Sequence, residues 1–305
     1  MSRALTWLRV RAELARASNL PTVWTNVLVG TAVGGHAAKH ATTAGSGGEE
    51  PVAIWAVGVW AAMAVSMMYL GGMVLNDVLD ASVDREQRPG RPIPAGRISS
   101  RDAMIFAFVL LGGGAVLLGV TGAASAIVSA VLLAAIVVYN VMHSRTSASV
   151  LLLGVCRACA HLAPIAMLAG FDAPAWAYAP AVAAFVYTAM LSIIARDETQ
   201  RDASPVHGLA WALPVPALLL ALPLRPENWI APALVAIAMT FWLARAASAL
   251  QPPKSSPKQA VLGMLAGFCL VDAWTLLLVG AWASALLAGA CFVLTVLGHR
   301  RIMGT

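Results

Sequence analysis

Residues 76–92 read Asn76-Asp77-Val78-Leu79-Asp80-Ala81-Ser82-Val83-Asp84-Arg85-Glu86-Gln87-Arg88-Pro89-Gly90-Arg91-Pro92 and follow directly on an apolar run at 52–75. If residues 76–84 prolong the helix of that run, Asn76, Asp80 and Asp84 fall at i, i+4 and i+8 on one face, with Asp77 at its edge. Carboxylates so placed repel one another, and they do so beside a poorly hydrated medium where charge is expensive. A positive partner is therefore expected. Oxygen donors suit a hard cation such as Mg2+, which commonly binds a few carboxylates together with substrate phosphates. The arginines just downstream suit a phosphate group. The stretch predicts a metal–diphosphate site at a membrane surface.

The rest of the chain supplies the membrane part. Of 305 residues, 60% are hydrophobic and 11% charged, and the mean hydropathy is +0.78. That composition indicates a polytopic membrane protein and excludes a soluble domain. Apolar segments run at about 20–37, 52–75, 103–120, 122–141, 150–170, 174–195, 207–223, 229–250, 259–279 and 281–298. Several approach the lower limit of roughly 17–25 residues for a spanning helix. Segments 3 and 4 are divided by Thr121-Gly122 and segments 9 and 10 by Gly280, so both pairs read as tight helical hairpins. The expected fold is all-α, a transmembrane bundle of nine or ten helices with ten favoured, in a single domain over residues 1–305.

Charge sets the orientation. With ten spans, only Lys39 and Arg225 of the basic residues outside the segments fall on one side; the others, from Arg3 to Arg301, fall on the opposite side. The positive-inside rule then puts both termini and every polar motif in the cytosol, in what we expect to be a bacterial cell membrane. Nine spans would strand His299-Arg300-Arg301 outside. The net charge of +6 reflects this topology and anionic lipid rather than nucleic acid. Arg3, Arg9, Arg11, Glu13 and Arg16 interrupt the N-terminus, which does not read as a cleaved signal peptide. Cys156, Cys159, Cys269 and Cys291 all lie in apolar runs and form no disulfide framework.

Three further loops share the side of the acidic stretch. Arg16 and Asn19 precede segment 1, and Tyr139, Asn140 and Arg145 follow segment 4. After segment 6 comes a second acidic loop, Arg196-Asp197-Glu198-Thr199-Gln200-Arg201-Asp202, in which Glu198 and Asp202 share a face if helical. By itself that loop also reads as a solvated turn with an ion pair. A weak internal repeat would place the two acidic loops opposite each other across the bundle.

Asn76-Asp77-x-x-Asp80-x-x-x-Asp84-Arg85, followed by Arg91-Pro92-Ile93-Pro94-x-Gly96-Arg97-Ile98, resembles the first signature of the UbiA superfamily of intramembrane prenyltransferases. The resemblance covers roughly residues 15–205. It implies a helical bundle around a central cavity open to lipid, with two acidic motifs holding Mg2+ against the diphosphate of a polyprenyl donor. Carried over, Asn76, Asp80 and Asp84 form the first metal cluster, with Asp77 in support. Arg88 or Arg91 touches phosphate, and Tyr139 and Arg145 match the family's Tyr and basic residue between helices 4 and 5. Arg16 and Asn19 match its Arg/Asn pair ahead of helix 1. The family tends to show Asp-x-x-x-Asp directly after helix 6. Here Ala195 takes the first aspartate's place, and the spacing returns one step along as Glu198-x-x-x-Asp202, the second metal pair.

The implied reaction is Mg2+-dependent transfer of a prenyl group to a lipophilic, possibly aromatic, acceptor within the membrane. Asp80, Asp84, Tyr139 and Arg145 are the implied catalytic residues; Arg16, Asn19, Asn76, Arg88, Arg91 and Arg145 would bind substrate. Metal and arginines stabilise the leaving group, and aromatic rings such as Trp24, Trp60, Tyr69 and Tyr139 stabilise the carbocation. A terpene cyclase or other diphosphate-processing enzyme with the same site is the alternative. A transporter would sooner keep its charges near the bilayer midplane, in broken helices. Arg157, inside segment 5, needs a partner or faces the cavity to help with phosphate, and Asp272 in segment 9 is a candidate partner or a structural acid. Cys156-x-x-Cys159 lacks a four-ligand set for zinc.

Overall fold

A computed structural model of the chain describes residues 10–42, 51–143, 146–196, 205–224, 226–251 and 256–301. The helices are α1 (Leu20–Thr42), α2 (Pro51–Leu79), α3 (Ala81–Gln87), α4 (Ser100–Gly119), α5 (Ala123–Met142), α6 (Ser149–Ala169) and α7 (Ala179–Arg196). After these come α8 (Pro214–Leu218), α9 (Ile230–Ser248), α10 (Pro257–Leu278) and α11 (Trp282–Arg301). No strand occurs among the described residues.

Eight helical stretches of the described residues are long and apolar enough to cross a membrane. The other two of the ten expected segments are also helical but differ from the rest. In α1, Thr22, Thr25, Asn26 and Thr31 are buried and lower the segment's hydropathy. The seventh segment is broken into a 3-10 stretch Pro205–Ala212, the short α8 and a second 3-10 turn Leu219–Ala221. Pro205, Pro214 and Pro216 explain the breaks, since each lacks the N–H that an α-helix interior requires. The two expected hairpins are present. Gly280 (φ +73°) turns α10 into α11, using backbone space that other residues reach only with strain.

The outer faces are apolar. Phe108, Val116, Ile127, Ile230, Leu234, Phe241 and Leu286 are each more than half exposed, a surface suited to acyl chains and not to water. Close approaches fix the helices around the interior. A Cβ on Gly30 of α1 would collide with the His161 backbone carbonyl of α6, and one on Gly34 would come within 3.0 Å of Ile165 Cα. A Cβ on Gly114 of α4 would lie 2.6 Å from Ala64 O of α2. Small residues thus let these backbones touch, as packing in lipid favours. The α1–α6 contact brings the polar face of α1 onto Arg157.

Candidate active site

The acidic stretch keeps its expected register. Asp80 N donates to Asn76 O and Asp84 N to Asp80 O, both at 2.9 Å, so the i, i+4 ladder runs through the junction of α2 and α3. The side chains then take different partners. Arg91 Nη1 donates to Asp84 Oδ2 at 2.6 Å and to Asp77 Oδ1 at 3.3 Å, and all three residues are less than one-tenth exposed. Arg16 Nη2 reaches the same Asp77 oxygen at 3.3 Å. Asp77 therefore joins two guanidinium groups, a larger role than support for its neighbours.

Asp80 is more open. One of its oxygens accepts from Asn76 Nδ2 at 3.2 Å, and the other lies 3.2 Å from His143 Nε2. Of the three carboxylates, this one has no guanidinium of the described residues against it, and it is the natural place for a cation. Asn76, Asp80 and Asp84 form an oxygen donor set that fits Mg2+ in kind. They are not a closed cage: among the described residues, no three His, Cys, Asp or Glu side chains converge as a metal-holding group. Asp84 is turned onto Arg91. An incomplete set of this kind suits an ion that keeps water and phosphate among its ligands.

Arg16 is held in an unusual backbone state, φ 47° and ψ 47°, which costs a non-glycine residue about 1 kcal/mol or more. Its contact with Asp77 fixes the guanidinium at the rim. Asn19 Oδ1 lies 2.8 Å from His299 Nε2, so the last helix closes against the start of the first. A bidentate pair, Arg97 to Glu13 at 2.8 and 2.9 Å, ties the N-terminal segment to the loop after α3. The hydrogen bond from Arg97 to Glu13 raises the Arg97 pKa above its ordinary value.

Beneath this rim lies a cavity of about 260 Å³. Arg16, Asn19, Asn76 and Tyr139 line its polar end, and Val65, Leu132, Leu153 and Leu265 contribute apolar wall. Tyr69, Tyr139 and Phe268 supply its aromatic faces. Trp24 and Trp60, expected there, lie elsewhere: both are more than one-third exposed, and they donate to Ser66 Oγ and Leu117 O respectively. Their indole N–H groups found partners at the outer helix contacts.

Other expected residues divide as follows. Arg88 is exposed at the end of α3, while Arg91 is enclosed by carboxylates. Tyr139 stacks on His143, with ring centroids 5.5 Å apart. Arg145, Glu198 and Asp202 lie outside the described residues. The approach to the second acidic loop is described: Arg196 Nη2 donates to His143 O, Thr146 O and Ser149 Oγ at 2.6–3.0 Å. This anchors the end of α7 to the α5–α6 connection, at the same end of the bundle as Asp80. Cys156 lines the cavity, and both it and Cys159 are free thiols.

Sequence reading also missed a buried polar chain. Arg157 Nη1 donates to Asn26 Oδ1 at 2.9 Å, Asn26 Nδ2 donates to Asp272 Oδ2 at 2.7 Å, and Asp272 Oδ1 lies 3.3 Å from His161 Nε2. Arg157 and Asp272, candidate partners from the sequence, do not touch: the amide of Asn26 stands between the two charges. The spacing of Thr22, Thr25 and Asn26 on one face of an apolar helix was the available signal.

The helical bundle, its lipid-facing exterior and the charged rim over an apolar cavity define a polytopic membrane protein with one polar mouth to its interior. The chain belongs to the UbiA prenyltransferase family, whose profile matches residues 27–266, and it is an integral, multi-pass membrane protein. Among similar curated proteins is the digeranylgeranylglyceryl phosphate synthase of Methanoculleus marisnigri, 42% identical over 88 residues, which are 28% of this chain and 30% of that protein. Another is the synthase of the same name from Halobacterium salinarum, 32% identical over 129 residues, 42% of this chain and 41% of that one. The chain thus spans less than half the length of these relatives. Two solved structures share the fold. One, of a digeranylgeranylglyceryl phosphate synthase, has a TM-score of 0.59 at 17% identity and covers 90% of this chain and 99% of that one. The other, a UbiA homolog from Archaeoglobus fulgidus bound to GPP and Mg2+, has a TM-score of 0.56 at 14% identity and covers 89% of this chain and 99% of that one.

Proposed function

We propose that the protein transfers a prenyl group from a polyprenyl diphosphate, held with Mg2+ at the Asn76–Arg91 rim, to a lipophilic acceptor in the cavity below. The carrying observation is the juxtaposition of Asp77, Asp80, Asp84, Arg16 and Arg91 at the mouth of an apolar, aromatic-walled cavity. The solved homolog bound to GPP and Mg2+ supports the donor class, and the relatives' names support a lipid acceptor. The charge distribution supports a rim facing the cytosol.

Asn76, Asp80 and Asp84 would hold the metal, and Glu198 and Asp202 would form the second pair. When bound, Mg2+ neutralises charge growing on the diphosphate leaving group. Arg91 keeps Asp77 and Asp84 from repelling one another in a buried site, so the acidic rim is stable before any cation arrives. Arg16, braced on Asp77, presents its remaining donors to the diphosphate oxygens, with Arg88 and Arg145 as further phosphate contacts. The bond between the prenyl C1 and oxygen breaks, and its electron pair leaves with pyrophosphate. The apolar wall keeps water from the allylic cation, and the faces of Tyr69, Tyr139 and Phe268 attract it. The acceptor's electrons form the new bond at C1, and its proton leaves to water or pyrophosphate.

Incubating purified protein with labelled geranyl, farnesyl and longer diphosphates, Mg2+ and a lipid extract tests this reading by mass spectrometry. A prenylated lipid is expected. A rearranged hydrocarbon would identify a cyclase instead, and intact donor under all conditions would sink both readings.

A further inference from the structure

Asn19 sits where α1 meets the rim, and its side chain lines the polar end of the cavity. Its backbone is fixed on both sides. Asn19 N donates to Arg16 O at 3.1 Å, and Thr22 Oγ1 donates to Asn19 O at 2.8 Å. The freedom left at this residue is the orientation of its amide. That orientation decides what a bound diphosphate meets. Turned one way, Asn19 offers N–H donors; turned the other, it sets a carbonyl oxygen against phosphate oxygens.

His299, in the last turn of α11, acts on this choice. Its Nε2 lies 2.8 Å from Asn19 Oδ1, across a separation of 280 residues. Both the imidazolium and the Nε2–H tautomer donate there. Oδ1 is then turned to α11 and Nδ2 away from it. The Asn19 side chain is also the hydrogen-bond neighbour of the Tyr69 hydroxyl, and Tyr69 lines the same cavity. The Nδ2 end makes that contact, so the donors of the amide face the cavity.

The approach of α11 permits this contact. Residue 298 is glycine, and a Cβ there would lie 3.3 Å from Ser18 Cβ. A larger side chain would push α11 off the turn and carry the imidazole out of reach of Asn19. The Arg16–Asn19 turn is thus held from two sides, by Asp77 of α2 and by His299 of α11. Closing the bundle needs only apolar packing. Here a directional donor is aimed at a cavity-lining side chain that can present either pole.

We propose that His299 is a positioning residue for the donor: it holds the Asn19 amide with Oδ1 turned to α11, so that Nδ2 presents its N–H groups to the diphosphate. This rests on the prenyl-transfer reading and adds to its donor site a residue from the far end of the chain.

Farnesyl diphosphate with Mg2+ is the probe, used with the full-length protein in detergent. Equilibrium dialysis gives Kd, and pyrophosphate release in the presence of a lipid extract gives KM and kcat. His299→Phe keeps a ring and removes the N–H. It should raise Kd and KM for farnesyl diphosphate about fivefold, the effect of one neutral hydrogen bond, and leave kcat within about twofold. His299→Gln returns a side-chain N–H donor and should recover most of the affinity. In an Asn19→Ala background, His299→Phe should change Kd by no more than about 1.5-fold, because the two residues act as one unit. His299→Leu decides the matter if His299→Phe does not fold. An unchanged Kd in His299→Phe, no recovery in His299→Gln, the same fivefold loss in the Asn19→Ala background, or a fall in kcat at constant Kd overturns the proposal. Failure of the wild type to release pyrophosphate from any donor sinks the transfer reading itself, whereas release with a donor affinity indifferent to His299 sinks only the positioning role.

Discussion

The protein pairs its charges in two ways. At the rim, Arg91 and Arg16 touch carboxylates directly, and one carboxylate, Asp80, stays open to a cation. In the interior, Arg157 and Asp272 are held apart by the amide of Asn26. The rim borders water, where ion pairs can be exchanged for a metal and a diphosphate at modest cost. The interior has no water to replace a lost partner, so Arg157, Asn26 and Asp272 are each tied to fixed neighbours. The contrast separates a region built to exchange partners from one built to keep them.

The comparison is broken most directly at the rim. Asp80→Ala and Asp84→Ala should each lower Mg2+-dependent turnover by about 100-fold or more, as should chelation of Mg2+. Full activity in both variants would remove the site assignment. The two should differ in stability: Asp84→Ala leaves the buried Arg91 with Asp77 alone and should lower the melting temperature more than Asp80→Ala does. The interior chain should behave in the opposite sense. Asp272→Ala is expected to destabilise the protein by roughly 3 kcal/mol, because Asn26 and His161 lose a buried partner. Thermal unfolding in detergent measures this, and donor affinity of the folded fraction should stay unchanged.

Thr188→Val is a smaller and more discriminating change. The hydroxyl has no hydrogen-bond partner among the described residues, so its removal should leave the melting temperature equal or higher, while KM for the acceptor rises a few-fold. A fall in both stability and donor affinity would assign Thr188 to the framework. The smallest effect is expected for Glu13→Gln. Its pair with Arg97 is about one-third exposed on each side, and such contacts contribute about 1 kcal/mol at most. A large loss of activity there would mean that the N-terminal segment positions Arg16.

Much of the fold was legible because burying backbone polar groups in lipid leaves few alternatives to a helix. All ten apolar segments are helical, and the i, i+4 register of Asn76, Asp80 and Asp84 follows from the helix that precedes them. Side-chain partners were less legible. Arg91 was expected at phosphate but lies against Asp84, since a buried guanidinium takes the nearest carboxylate when one is in reach. Asn19 was expected at the substrate, and it also meets His299, from the far end of the chain. The seventh segment has the hydropathy of a span, yet its prolines break it into short turns.

The sequence by itself determined that the chain is a membrane bundle with an acidic, arginine-flanked rim, because hydropathy and helical periodicity are local properties. It also marked Arg157 and Asp272 as misplaced charges. Only the tertiary structure decided how they are reconciled. Asn26 lies 131 residues from Arg157 and 246 from Asp272. No local pattern brings these three together; they meet because glycines on α1 let its backbone close onto α6 while α10 packs alongside. Where water is absent, such a charge must find its partner through packing, and packing is settled by the whole chain.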